Sequence, residues 1–178
     1  MAYGDLSPIS REPMRPPAPL RVVFGALFVA LLINLLPWSG TPLLIRPDFV
    51  LLVLLFWAVH EPRIIGQGMG FALALVMDVA DSALLGQHAL AYVIATFLAQ
   101  VLRLRILQLT VAEQALHVGG ILFVSTAVML LLNSMLGRDF PGVALFLSPI
   151  LGAMLWPVVR AVTAWQKLRL PPPTTMMR

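Results

Sequence analysis

Between residues 20 and 165 the chain runs through six apolar stretches separated by short polar breaks. They cover 20–36, 47–59, 64–85, 88–102, 115–136 and 143–165. A membrane-crossing helix needs about 20 apolar residues, with about 17–25 tolerated. The third, fifth and sixth stretches meet that length, and the second and fourth are short. Residues 43–45 would lengthen the second, but Arg46, Pro47 and Asp48 interrupt it. The pattern predicts an all-α integral membrane protein with a bundle of six transmembrane helices. Five is the alternative count, with one short segment re-entrant.

Residues 1–19 contain Pro8, Pro13, Pro16, Pro17 and Pro19. They read as a disordered cytoplasmic tail. Pro171, Pro172 and Pro173 block any helix in 170–178, a second tail. Residues 20–169 form the multi-span membrane domain. The run 22–36 ends at Pro37, Trp38, Ser39 and Gly40, with no clear small-x-small cleavage site. It therefore reads as a retained span rather than a signal peptide.

Charge orients the spans. With six spans and an inside N-terminus, the cytoplasmic segments hold Arg11, Arg15, Arg21, Arg63, Arg103, Arg105, Arg160, Lys167, Arg169 and Arg178. The external segments hold Arg46 and Arg138. This asymmetry follows the positive-inside rule and puts both termini in the cytoplasm. The net charge of +4 then reflects attraction to anionic lipid, not to nucleic acid. Only 11% of residues are charged, against about a quarter in soluble domains. A separate water-soluble domain is not expected.

Inside the third stretch an aspartate stands in apolar surroundings. Asp78 follows Phe71, Leu73, Leu75, Val76 and Met77. An ionisable group in such a place is costly and asks for a reason. At its depth Asp78 can meet Asn133 or Ser134 near the outer end of the fifth stretch, or Arg46 at the head of the second. A protonated Asp78 bonded to Asn133 is the simplest arrangement. On the same helix Gly66, Gly70 and Ala74 recur every four residues, beside Gln67, Phe71, Asp78 and Asp81. Such a small-residue stripe admits a second helix closely, either from this chain or from a partner. Gly66, Gly70, Phe71, Ala74 and Asp78 are the face backed here for packing or partner binding, and Gly70→Leu is expected to block docking while leaving insertion intact.

Catalytic chemistry finds little support. Asp78 and Asp81 lie three apart on one helix, so they cannot clamp a peptide as an aspartyl dyad must. Ser125, Ser134 and Ser148 lack a nucleophile-elbow setting, and bonding to a backbone carbonyl or a neighbouring helix is expected instead. His60, His88 and His117 lack ligand spacing, and there is no cysteine, so neither a metal nor a cofactor is expected. His88 and His117 read as interfacial polar residues. Trp38, Trp57, Trp156 and Trp165 fall near span ends, as in an aromatic belt. Leu102, Ile106 and Leu109 share a helical face, with Arg103 and Arg105 elsewhere, which suggests an amphipathic helix at the cytoplasmic surface.

Several of these residues carry a resemblance. Arg46-Pro47-Asp48-Phe49-Val50-Leu51-Leu52, closing at Phe56-Trp57, resembles the second span of the rod shape-determining protein MreD family. Glu61-Pro62-Arg63 is similar to that family's Pro-basic turn. Gly66, Gly68, Gly70 and Phe71 resemble its glycine-rich helix entry. Asp78, then Leu85-Gly86 and Ala89-Leu90, matches its aspartate and its Leu-Gly turn, and Leu155-Trp156-Pro157 its last helix. Ala74, Asp81 and Ser82 depart from it, standing where glycine is common. The resemblance implies a structural component of the inner membrane of rod-shaped bacteria, with MreC as closest partner. MreB, RodA and RodA's transpeptidase partner belong to the same assembly. It also implies a fold similar to the membrane substrate-binding subunits of vitamin uptake transporters. That second role is the alternative, with a pocket near the external face lined by Asp78, Trp38 and Asn133.

Overall fold

The computed structural model describes residues 18–37, 45–140 and 142–168. Among these residues all regular structure is helical. The helices are α1 (Leu20–Asn34), α2 (Phe49–His60), α3 (Gln67–Ala80), α4 (Gln87–Val101), α5 (Arg103–Gln108), α6 (Val111–Met135) and α7 (Leu147–Leu168), with a 3-10 turn at Val143–Phe146 before α7. By length and composition α6 and the segment Val143–Thr163 suffice to cross a membrane, and α1 to α4 are shorter apolar helices of 12–15 residues.

The centre of the bundle is α2. Val50, Leu51, Leu52 and every residue from Leu54 to Val59 are buried. A helix apolar all round belongs inside. It packs against α1, α4 and α7, and less extensively against α5 and α6. Phe56 meets Trp156 of α7 at a ring-centroid distance of 5.8 Å. The helix starts where it does because Asp48 caps it: Oδ1 accepts from Leu51 N at 3.0 Å. Such a cap contributes about 1 kcal/mol. The second stretch thus begins at Phe49, and Arg46, Pro47 and Asp48 lie outside it.

The fifth stretch starts earlier than its apolar run suggests. Thr110 N donates to Glu113 Oε2 at 2.9 Å, and the two residues close a capping box. This draws residues 111–114, with the polar Glu113 and Gln114, into the first turn of α6. The signal, Thr-x-x-Glu before an apolar run, was present in the sequence.

A further expectation is corrected. Trp57 and Trp156 do not form an aromatic belt, because both are fully buried in the core. Trp156 Nε1 donates to Gln114 Oε1 at 3.3 Å, and Arg160 Nη1 donates to the same oxygen at 3.0 Å. A tryptophan near a span end goes inward when a facing helix offers its N–H an acceptor. Trp38 lies outside the described residues. By contrast, α5 turns Ile106 into the core with Leu102 packed against it, while Leu104 points out. Arg103 Nε donates to Val59 O at 2.7 Å, which fixes α5 beneath the end of α2.

Candidate functional site

The α3–α4 connection is built around Asp78. Gly86 adopts φ +103, a left-handed conformation that suits a residue without Cβ. This turn brings the first N–H groups of α4 back over α3. Asp78 Oδ2 accepts from Gly86 N at 2.7 Å. Asp78 Oδ1 accepts from His88 N at 2.7 Å and lies 2.9 Å from His88 Nδ1. The aspartate is 1% exposed. It caps the start of α4, satisfying donors that a helix start leaves free.

Asp78 therefore does not pair with Asn133, Ser134 or Arg46. Ser134 Oγ donates to Leu130 O of its own helix, and Asn133 Oδ1 has no partner among the described residues. His88 is corrected as well. It is buried, not interfacial, and its ring bridges two acids, with Nε2 3.5 Å from Asp81 Oδ2.

Asp81 also takes Arg46, whose Nη2 lies 3.5 Å from Oδ1. Arg46 Nη1 donates to Asn34 O at 2.5 Å. Asn34 Nδ2 donates to Asp48 Oδ1 at 3.1 Å, and its Oδ1 accepts from Phe49 N at 3.2 Å. Tyr92 of α4 donates to Asp48 Oδ2 at 2.5 Å, and Ser148 of α7 donates to Arg46 O at 2.7 Å. The result is one polar knot at a single end of the bundle. It joins α1, the head of α2, the end of α3, the start of α4 and the start of α7. Between apolar helices in lipid the hydrophobic effect is not the driving force, so close packing and interhelical hydrogen bonds hold the arrangement.

The knot borders a cavity of about 160 Å³ that extends to α6. Its polar lining comprises Arg46, Asp48, Asp81, His88 and Ser148, with Ser125 and Thr126 from α6. Neither Asp78 nor Asn133 lines it. Ser125 does not bond to a carbonyl as expected, although Ser134 and Ser148 do.

The small-residue stripe divides by face. Gly70 and Ala74 are buried. A Cβ on Gly70 would lie 2.7 Å from Thr96 Oγ1 of α4 and 3.6 Å from Leu54 of α2. Those two residues serve packing within the chain. Gly66 is half-buried with open space around its Cα. Phe71 is 47% exposed and belongs to the opposite face. On that face Gly68 and Ala72, four residues apart, are exposed, with nothing within 4 Å of a Cβ on Gly68. Val76 and Val79 continue the outward surface. This second stripe was missed because Gly68 was read as part of the helix entry.

Of the remaining motif residues, Pro47 lies between Arg46 and the α2 cap Asp48, and Pro157 sits inside α7 immediately after the buried Trp156. A family model described as rod shape-determining protein MreD matches residues 18–164. A rod shape-determining protein MreD from Haemophilus influenzae (strain ATCC 51907 / DSM 11121 / KW20 / Rd) is 27% identical over 137 residues, covering 77% of this chain and 85% of the relative. No solved structure matches the chain.

Proposed function

The chain belongs to the rod shape-determining protein MreD family, and from that premise we propose that it is an inner-membrane scaffold of the bacterial cell-elongation machinery. In this reading six helices cross the membrane, with both termini cytoplasmic and the polar knot at the external end. The concentration of Arg and Lys in the segments that would face the cytoplasm supports that orientation. MreC is the closest partner, and MreB, RodA and its transpeptidase partner complete the assembly. The protein works by binding and positioning rather than by catalysis.

The observation that carries the docking reading is the outward face of α3. This helix packs chiefly on α4 and leaves Gly68 and Ala72 uncovered between Phe71, Val76 and Val79. Lipid does not require small residues at i and i+4, whereas a closely approaching helix does. We place the docking face here rather than on the Gly66, Gly70 and Ala74 stripe. The knot supports the role by holding α3 against the rest of the bundle, so the face is presented in a defined direction.

The test is affinity purification of the tagged chain in mild detergent, with mass spectrometry of what accompanies it. Recovery of MreC and the elongation synthases is the expected result, with rounding of depleted cells. Absence of both would overturn the scaffold.

The polar cavity admits a second reading, the membrane substrate-binding subunit of a vitamin or solute uptake transporter, with an occupant small enough for about 160 Å³. Its walls would be Arg46, Asp48, Asp81 and Ser125 rather than Asp78 and Asn133. Co-purification of a transporter ATPase pair, with growth dependent on a vitamin, would select it.

A further inference from the structure

Ser125 stands in the middle of α6 and is 2% exposed, yet its Oγ makes no hydrogen bond among the described residues. A serine in a helix ordinarily returns its hydroxyl to the carbonyl four residues back. Thr126, Ser134 and Thr163 all do so here. The Ser125 side chain instead lines the cavity. A buried polar atom without a partner costs about 1–3 kcal/mol, so a group that enters the cavity and meets this hydroxyl recovers that cost.

The charged residues of the lining define the chemistry of that group. Asp48 already accepts three hydrogen bonds, at Oδ1 from Asn34 and Leu51 and at Oδ2 from Tyr92. Asp81 is less closely held. Its two contacts, to Arg46 and His88, are both 3.5 Å long, the outer limit for a hydrogen bond. Its side chain is 32% exposed at the end of α3 and so reaches both cavity and surroundings. Behind it stand Asp48 and Asp78, so three carboxyl groups are clustered around one guanidinium, Arg46, and one imidazole, His88. In a low-dielectric bundle such an excess of acid attracts a cation. Thr126 and Ser148, also in the lining, already donate to Leu122 O and Arg46 O, while Leu51, Met77, Met129 and Leu145 are able to cover a short carbon chain. A volume of about 160 Å³ is well below the roughly 300 Å³ at which small-molecule sites usually begin.

We propose that this cavity binds a small ammonium group on a short carbon chain, held by Asp81 and Ser125. The same chemistry is carried by the ethanolamine headgroup of a membrane lipid and by a free amine of similar size. The site is independent of the docking face of α3, so either proposal can fail without the other.

The full-length protein would be placed in nanodiscs containing equal phosphatidylethanolamine and phosphatidylglycerol, then released and read by native mass spectrometry. In parallel, its thermal unfolding in detergent would be followed with and without ethanolamine. The variants are Asp81→Asn and Ser125→Ala. Ser125→Ala removes a hydroxyl that has no partner among the described residues, so it should fold at least as well as the parent. Retention of phosphatidylethanolamine over phosphatidylglycerol, reduced about tenfold or more by each variant, supports the site with a lipid occupant. A rise in melting temperature with ethanolamine, lost in both variants and without lipid preference, supports it with a free amine. Absence of both responses, or responses that the two variants leave intact, overturns the proposal.

Discussion

Asp78 grips His88 twice, through the backbone N–H at 2.7 Å and the ring Nδ1 at 2.9 Å, across ten residues of chain. The pairing explains why an acid is retained in an apolar helix. Its carboxylate closes the α3–α4 turn and caps α4. The position of Asp78 therefore bears on the α3 face without touching it.

Removal of this cap should be costly. Asp78→Ala leaves the N–H groups of Gly86 and His88 without their acceptor in a site that excludes water. The expected loss is about 3–5 kcal/mol, the range for breaking a buried charged interaction. Asp78→Asn should retain part of it, because one amide oxygen still accepts. Thermal unfolding in detergent checks the order parent, Asn, Ala.

The two glycine faces should respond differently. Gly70→Leu must displace Thr96, so it should destabilise the fold by about 1–3 kcal/mol. This replaces the expectation that Gly70→Leu blocks docking alone. With Gly70→Ala, the added Thr96→Ala removes the atoms that the new methyl meets and should restore much of the loss. A double-mutant cycle on melting temperature measures it.

Gly68→Leu and Ala72→Leu add bulk to the outward face. Their melting temperatures should stay within a few degrees of the parent. Recovery of MreC in affinity purification should fall at least about tenfold if packing worth about 1.4 kcal/mol or more is lost. Unchanged recovery with both variants would remove α3 as the docking helix.

Tyr92→Phe deletes the hydroxyl that reaches Asp48 and leaves a half-buried carboxylate oxygen short of a donor. The expected cost is about 1–3 kcal/mol. Since Asp48 also caps α2, Asp48→Ala should cost more than Tyr92→Phe. Protease resistance of the purified chain offers a second readout besides melting.

Gln114 serves Trp156 and Arg160 with one oxygen. Gln114→Leu should destabilise the α6–α7 contact by about 1–3 kcal/mol, whereas Gln114→Glu keeps the acceptor and should be milder. Thermal unfolding in detergent checks the order parent, Glu, Leu.

Much of this protein was legible along the chain. Every helix lies within or close to a stretch marked by apolar residues, because helix formation and apolar burial are read over neighbouring positions. The inward face of α5, the Arg46-Pro47-Asp48 interruption and the family resemblance were legible for the same reason. The start of α6 was legible too, through Thr110 and Glu113, although the apolar count passed over it.

What the sequence alone determined was therefore the helical class, the approximate helix limits and the residues whose chemistry needed explaining. The tertiary structure decided their partners. Asp78 could have met Asn133, Ser134 or Arg46, and the left-handed turn at Gly86 delivered His88 instead. Gly70 and Gly68 are two residues apart, yet one faces Thr96 and the other faces outward. Ser148 reaches Arg46 across 102 residues. Local periodicity sets which face a side chain occupies. Which neighbour that face meets depends on how all the helices pack at once, and that has no local signature.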